Sequence, residues 1–205
     1  MINILKLNTM KILTVSDFIE NSLDQRIREE SLPGIDLILS CGDLAQEYLI
    51  YLQEKISAPL YYVKGNHDIR HGRYKPEGCT DIHKRLVLVN GLRILGFEGS
   101  NWYNGNENQY TEKEMKKIVG TMWFSLMKNR GVDIVITHSP PRQIHDAEDL
   151  CHRGFQCFID LINKYNPGYF IHGHIHKHFN NPEDRVTLYG KTKVINTCGY
   201  NILEY

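Results

Sequence analysis

The chain has 205 residues, of which 41% are hydrophobic, and its 24 basic and 24 acidic side chains give a formal net charge of zero. A chain of this length and composition can bury one sizeable core, and we expect a single domain over residues 10–205. The neutral charge argues against nucleic acid and anionic membrane surfaces as partners. Neither composition nor charge indicates the oligomeric state.

The first residues and the cysteines indicate the compartment. Residues 1–9 lack the basic leader, continuous apolar stretch and small-residue cleavage site of a signal peptide, and we interpret them as an N-terminal extension. No segment has the roughly 18 to 20 apolar residues needed to span a bilayer. The five cysteines are odd in number and include no Cys-x-x-Cys pair, which argues against a disulfide framework or a zinc ribbon. We therefore expect reduced thiols in a cytoplasmic protein.

Three short apolar segments in the first third of the chain each end at polar residues. The segments are residues 12–16, 36–41 and 59–63. Asp17 follows the first, Asp43 follows the second, and Gly65-Asn66-His67-Asp68 follows the third. Helical patterns separate them, at residues 21–30 and 44–57. This alternation predicts a parallel βαβ sheet with right-handed crossovers, and residues 71–83 beyond it are predicted to form a loop.

The middle of the chain predicts an antiparallel addition to this sheet. Two apolar segments, residues 86–89 and 92–97, flank Asn90-Gly91, a pair typical of the two-residue type I′ hairpin turn. The sheet therefore becomes mixed. Further on, Thr111 and Glu114 have the spacing of a capping box, which predicts a helix that reaches about residue 130.

The last third of the chain returns to strands that end at polar residues. Residues 133–137 form an apolar segment before His138, and residues 169–171 precede His174 and His176. A helix is predicted between them, over residues 152–165. Three short strands are predicted after His176, at residues 186–189, 194–197 and 202–204.

Five predicted strands thus end in side chains that bind metals. The strand ends of one parallel sheet lie side by side, so we expect these carboxylates, amide and imidazoles to meet in one cleft. Oxygen and imidazole ligands suit a hard or borderline metal ion. Any one of these residues is equally consistent with a turn or a satisfied buried polar group, but their repetition at successive strand ends favours a metal site.

These motifs, read in order, resemble those of the calcineurin-like metallophosphoesterase family from Met10 onward. The motifs are Asp17, Gly42-Asp43, Gly65-Asn66-His67-Asp68, His138 and Gly173-His174-Ile175-His176. The resemblance implies an α/β fold, a four-layer α/β/β/α sandwich of mixed sheets. It also implies a metal-dependent phosphohydrolase that cleaves a phosphomonoester or phosphodiester by a metal-bound hydroxide. The cofactors would be two divalent metal ions, commonly manganese, iron or zinc.

The resemblance also implies a role for each motif residue. Asp43 would bridge two metals, one of which would also bind Asn66, His138 and His174, while the other would bind Asp17 and His176. His67 would stabilise or protonate the leaving oxygen, and Asp68 would orient its ring. Two cations clamp phosphoryl oxygens and lower the pKa of a bridging water, and a carboxylate that contacts a histidine fixes its tautomer.

One motif departs from the family pattern. The family has Asp-x-His at the first strand end, but this chain has Asp17-Phe18-Ile19. Isoleucine cannot bind a metal, so the site of Asp17, Asp43 and His176 is weak or empty unless another group replaces the ligand. Water or substrate filling the position, a single-metal enzyme, and a non-catalytic metal- or ligand-binding protein remain open.

Further residues are candidates for contact with a small phosphoester substrate. Arg70 directly follows the Asn-His-Asp motif, where a guanidinium can bind phosphate in bidentate fashion, although a surface salt bridge is an equal alternative. His152 lies in the segment after His138, which we expect to overhang the metals. Four other histidines are weaker candidates: His71, His83, His145 and His178. Trp102, Tyr103 and Tyr110 either wall the substrate pocket or cover the core.

A nuclease is disfavoured, because the sequence has no cluster of basic residues.

Overall fold

The computed structural model describes residues 9–69, 75–177, 179 and 181–205. Arg70, His71 and His178 lie outside the described residues. The strands are β1 (Lys11–Ser16), β2 (Leu37–Ser40), β3 (Leu60–Tyr62), β4 (Cys79–Asp81), β5 (Leu86–Val89), β6 (Leu92–Phe97), β7 (Ser100–Asn101), β8 (Gln109–Tyr110), β9 (Ile134–Thr137), β10 (Tyr169–His172), β11 (Val186–Tyr189), β12 (Thr192–Asn196) and β13 (Gly199–Glu204). The α-helices are α1 (Asn21–Arg28), α2 (Gln46–Ile56), α3 (Glu112–Thr121), α4 (Trp123–Lys128) and α5 (Gln156–Tyr165).

Two mixed sheets form the centre of the protein. The five-stranded sheet has the order β13-β1-β2-β3-β4, and the six-stranded sheet has the order β11-β12-β10-β9-β6-β5. Strands β1 to β4 run parallel, as do β6, β9, β10 and β12. The antiparallel strands lie at the sheet edges: β13 beside β1, β11 beside β12 and β5 beside β6. The expectation of a single sheet is therefore wrong.

Alternating side chains along each strand build the layers. In β1, Ile12 enters a cluster between the two sheets, whereas Leu13 faces helices α1 and α2. In β9, Ile136 enters the same central cluster, and Val135 packs with α3, α4 and α5. Strands β1 and β9 thus bury both of their faces, one against a helix layer and one against the other sheet. The four-layer α/β/β/α sandwich expected from the resemblance is confirmed.

Several local predictions are confirmed. Asn90 and Gly91 both have positive φ, 48° and 87°, as a type I′ turn requires. The capping box is also present, because the Glu114 N–H donates to Thr111 Oγ1 and the Thr111 N–H donates to the Glu114 carboxylate.

Other predicted boundaries are wrong. The predicted long helix divides at Met122 into α3 and α4, and α5 begins at Gln156, so that His152 lies in the loop before it. Residues 79–81, within the predicted loop, form β4 at the edge of the five-stranded sheet. None of these three residues is fully buried, so the segment lacks the apolar pattern that marks an interior strand.

Candidate metal centre

The predicted ligands come from both sheets and meet where the strand ends face each other. Asp17 and Asp43 follow β1 and β2 of the five-stranded sheet, while His138 and His174 follow β9 and β10 of the six-stranded sheet. The His174 backbone N–H donates to the Asp17 carboxylate, 2.9 Å from Oδ1, and so connects the two sheets. The predicted cleft is present, but it lies between two sheets instead of along one.

The backbone at this edge adopts unusual conformations. Asp17, Asp43 and His174 have φ values of 69°, 56° and 67°, in the left-handed region. Residues other than glycine adopt this region uncommonly, although Asp and His do so more readily than most, and such conformations concentrate at functional sites. Three of the six predicted ligands therefore share a conformation that the surrounding structure must enforce.

Three lone pairs converge beside His138. The His138 Nδ1–H donates to the Cys41 carbonyl oxygen at 2.8 Å, which leaves the Nε2 lone pair directed into the cleft. Nε2 lies 3.0 Å from Asn66 Oδ1 and 3.2 Å from Asp43 Oδ2. In this tautomer the three atoms are all acceptors, and only a proton or a metal cation can satisfy them together.

The electrostatics of the cleft favour a positive charge at this point. Burial opposes protonation of His138, but the Asp43 carboxylate outweighs it and raises the pKa of the imidazole to about 9. Burial likewise works against the charged form of Asp43, but His138 holds the pKa of the carboxyl well below its usual range. A site that stabilises an imidazolium in this way fits a divalent cation, because both place positive charge beside a buried carboxylate.

His174 completes this donor set. One ligand atom from each of Asp43, His138 and His174 lies within 4.8 Å of the others. The Nε2 atom of His174 is 2.8 Å from the Cys151 carbonyl oxygen, and a hydrogen bond there leaves the Nδ1 lone pair available to a metal. The Cys151 carbonyl therefore sets the His174 tautomer, a role that no sequence pattern indicates.

Asp17 and His176 lie on the other side of the cleft. The Asp17 side chain is fully buried and accepts a hydrogen bond of 2.6 Å from Ser16 Oγ, while its Oδ1 is 3.5 Å from His176 Nε2. Burial raises the pKa of Asp17. Polar and charged neighbours more than offset this effect, the contact with His176 most of all, and the pKa lies below its ordinary value. Ile19 is 47% exposed and offers no donor atom. Fewer candidate donor side chains lie here than beside His138, and a weak or empty second site stays a prediction.

The Asn-His-Asp segment is held against Asp43 by its backbone. The His67 N–H donates to Asp43 Oδ1 at 2.8 Å, and the His67 side chain is exposed at the mouth of the cleft. Asp68 Oδ2 accepts the N–H groups of Asp43 and Gly65 at 2.7 and 2.8 Å. Asp68 thus joins two of the ligand-bearing loops, and its proposed action on the His67 ring stays a prediction.

Gly65 is required by the close approach of these loops. A Cβ atom at this position would lie 2.1 Å from Asp43 Oδ1 and 2.7 Å from His138 Cε1, inside the donor set. We expect Gly65→Ala to weaken Mn²⁺ binding at least about tenfold, since a displaced ligand costs no less than a disturbed supporting contact. Isothermal titration calorimetry measures this effect. The control is Gly34→Ala, where a Cβ meets no atom within 4 Å, and affinity equal to that of the unaltered chain in Gly65→Ala contradicts the prediction.

The loop after β9 overhangs the cleft as predicted. The His152 ring centre lies 5.2 Å from that of His174, and His152 Nδ1 lies 2.9 Å from the Asp149 carboxylate. Ligand atoms of Cys151, His152 and His174 also lie within 4.8 Å of one another. The structure therefore brings His152 to the cleft, where substrate contact stays a prediction, and it adds Cys151, which lies outside every sequence motif described above.

The other described histidines do not join the cleft. His83 lies beside Glu98, with its Nδ1 accepting the Glu98 N–H at 3.0 Å. His172 is fully buried at the end of β10, and its Nδ1–H donates to the Gly173 carbonyl oxygen. His145 lies between the exposed Thr187 and His172, with its Nδ1 2.9 Å from His172 Nε2.

This histidine pair predicts a pH dependence of stability. Burial lowers the pKa of His172 to about 3 and that of His145 to about 4, so both rings are neutral in the folded protein. In the unfolded chain they bind protons near pH 6.5. The contribution of this pair to the free energy of unfolding is therefore fully present above pH 6.5 and falls as the pH decreases toward 4, by up to about 1.4 kcal/mol per pH unit for each ring.

Chemical denaturation at pH 7, 6 and 5 measures this slope. We expect His145→Gln to reduce the slope of the free energy of unfolding against pH by the contribution of one histidine ring. Glutamine keeps hydrogen-bonding groups but does not titrate. The carboxylates and the remaining histidines titrate in both proteins and cancel in the difference. Equal slopes for the two proteins contradict the prediction.

The fold and the donor set together define a class of protein: an α/β/β/α sandwich with a candidate metal centre where the ends of its two sheets meet. The chain belongs to the calcineurin-like phosphoesterase family, whose model matches residues 10–178. Members of this family use divalent metals. The strands beyond residue 178 complete both sheets, since β13 pairs with β1 and β12 pairs with β10.

The individual proteins that this chain resembles share only a small part of its sequence. A 3′,5′-cyclic adenosine monophosphate phosphodiesterase, CpdA of Pseudomonas aeruginosa, is 26% identical over 178 residues, which cover 78% of this chain and 61% of that protein. Among solved structures, a dimetal phosphatase from Danio rerio has a TM-score of 0.56 at 10% identity, covering 93% of this chain and 87% of its own. The calcineurin-like phosphoesterase YfkN from Bacillus subtilis has a TM-score of 0.52 at 14% identity, with coverages of 96% and 84%. These structural similarities show the fold.

In the described part of the chain, no helix is long and apolar enough to cross a membrane.

Proposed function

We propose that this protein is a metal-dependent phosphohydrolase that cleaves a small phosphomonoester or phosphodiester. The observation that carries the proposal is the convergence of His138 Nε2, Asn66 Oδ1 and Asp43 Oδ2 in a buried cleft at the strand ends. Family membership and the named activity of the Pseudomonas relative support it.

The proposed site has two cation positions of unequal strength. Asp43, Asn66, His138 and His174 would hold the first cation, and Asp17, Asp43 and His176 would hold the second. Carboxylate, amide and imidazole ligands without a thiolate suit manganese, iron or zinc. When bound, such cations polarise phosphoryl oxygens and lower the pKa of a water molecule so that it can act as nucleophile.

The chain's own residues would orient the ester and handle its leaving group. His67 is exposed at the mouth of the cleft while its backbone is fixed to Asp43, so its imidazole can reach a bound substrate and donate a proton to the departing oxygen. His152, held by Asp149, would donate a hydrogen bond to a phosphoryl oxygen from the opposite loop. Burial of Asn66 and His138 keeps bulk water away from the ligands and strengthens their electrostatic effect.

The proposal is tested with protein purified without chelator, whose metal content is measured per chain by elemental analysis. Hydrolysis of p-nitrophenyl phosphate, bis-p-nitrophenyl phosphate and 3′,5′-cyclic AMP is then followed with added Mn²⁺, Fe²⁺ or Zn²⁺. We expect metal-dependent turnover of at least one ester class, abolished by EDTA and restored by Mn²⁺. Metal binding without turnover of either class would overturn the proposal.

A second candidate function is a non-catalytic metal- or ligand-binding protein with a phosphoesterase fold. It is favoured by one observation, the exposed Ile19 where the family motif has a histidine. This candidate predicts one metal per chain and no hydrolysis under any of the conditions above, whereas an enzyme with one metal would still turn over.

A further inference from the structure

We infer that Tyr103 is a positioning residue that holds the Asn66 amide with its oxygen toward the metal. The inference deepens the proposed function, because it concerns the first cation position of that site. The Asn66 Nδ2–H donates to the Tyr103 hydroxyl oxygen at 3.2 Å, and Asn66 Oδ1 lies 3.0 Å from His138 Nε2. The amide is therefore contacted at both ends.

The orientation of this amide matters because its two ends have almost the same shape. A flipped Asn66 would direct its NH₂ group at the cation position and lose a ligand. Asn66 is only 1% exposed, so water does not readily supply an acceptor for Nδ2. The Tyr103 hydroxyl provides that acceptor, and a buried amide without it would bear the cost of an unsatisfied donor.

The loop that carries Tyr103 is built to hold it in place. Gln109, at the start of β8, is 9% exposed, and its Oε1 accepts the N–H groups of Tyr103, Asn104 and Gly105 at 3.2 to 3.3 Å. Its Nε2–H donates to Asn104 Oδ1 at 2.6 Å. One buried amide thus organises the whole turn between β7 and β8, and the turn presents Tyr103 to Asn66.

The same hydroxyl reaches the opposite loop. The Cys151 thiol interacts with it, and the Cys151 carbonyl oxygen is the group that contacts His174 Nε2. Tyr103 therefore connects the support of Asn66 with the support of His174, two ligands of the first cation position that come from different sheets. Neither Tyr103 nor Cys151 belongs to the metal-binding motifs themselves.

The test is the affinity of the protein for Mn²⁺, measured by isothermal titration calorimetry on Tyr103→Phe. Because loss of a supporting partner typically costs a metal site 10- to 100-fold in affinity, we expect a loss of about that size. The absorption of Co²⁺ in its visible d–d bands should also change, which reports the ligand field directly and needs no activity. The matched control is Tyr110→Phe, since Tyr110 lies on β8 and its hydroxyl donates to Glu98 Oε1 at 2.7 Å, away from Asn66.

Each outcome decides the inference. Weaker Mn²⁺ binding and an altered Co²⁺ spectrum in Tyr103→Phe, with both unchanged in Tyr110→Phe, support it. Unchanged affinity and spectrum in Tyr103→Phe overturn it, and so does an equal loss in both variants, which would reflect damage to the β7–β8 sheet. Metal binding without hydrolysis would defeat the proposed function alone, because the inference is measured through the metal.

Discussion

Asp43→Asn is expected to abolish phosphoester hydrolysis, with a loss of at least about a thousandfold in kcat/KM, because the removal of a single transition-state hydrogen bond already costs 10²- to 10³-fold. Asp43 is proposed to bridge the two cation positions, and its Oδ2 is 3.2 Å from His138 Nε2. An amide lowers the negative charge that draws cations into the cleft. The fold should persist, because asparagine keeps the oxygen that accepts the His67 N–H.

The measurement pairs steady-state kinetics with Mn²⁺ titration and thermal denaturation. The matched control is Asp36→Asn, the same change at an exposed residue whose carboxylate accepts the Lys11 N–H at the far end of β1. We expect this control to retain full activity. If Asp43→Asn keeps more than about a tenth of the activity while remaining folded, the cation positions assigned here are wrong, since a bridging ligand has no spare partner.

Ile19→His has the second largest expected effect, and it is a gain: the substitution should strengthen metal binding at the second cation position. It restores an imidazole two residues after Asp17, beside a position that otherwise has only Asp17, Asp43 and His176. We expect the second cation to bind at least about tenfold more tightly, since a direct ligand contributes no less than the supporting contacts worth 10- to 100-fold. Ile19 is 47% exposed, so the substitution removes no core packing.

Elemental analysis and calorimetry with Mn²⁺ measure this change as stoichiometry and as the dissociation constant of the weaker site. Ile69→His is the matched control, because Ile69 is also exposed, at 43%, and directly follows Asp68 at the same edge of the protein. Tighter binding in both variants would indicate adventitious binding by surface imidazole. No change in Ile19→His would mean that Ile19 is not near the second position.

The local features of the fold could be predicted because they depend on neighbours in sequence. Asn90-Gly91 forms its turn through its own backbone preferences, and Thr111 caps its helix through a residue three positions away. The wrong boundaries arise where distant contacts decide. The helix predicted from residue 152 begins at Gln156, because Phe155 instead donates its N–H to the Pro140 carbonyl oxygen and the loop remains over the cleft.

The division into two sheets also depends on distant contacts, so sequence patterns could not predict it. Strands β1 and β9 have similar apolar patterns, and both bury their two faces. No local sequence pattern specifies that β9 pairs with β6 and β10 instead of with β2. Strand pairing depends on which faces meet when the chain becomes compact. The resemblance to a known family supplied the four layers, whereas periodicity alone predicted one mixed sheet.

The sequence by itself determined the side chains that point to a metal site, their order along the chain and the departure at Ile19, because strand ends and glycine-bearing motifs are local patterns. Only the tertiary structure decided what orients those side chains. The carbonyl oxygens of Cys41 and Cys151 set two imidazole tautomers, and Tyr103 contacts the Asn66 amide across the cleft. Backbone carbonyls are common to every residue, and a contact between loops 37 positions apart leaves no periodic signal, so these supports exist only once the two sheets have packed together.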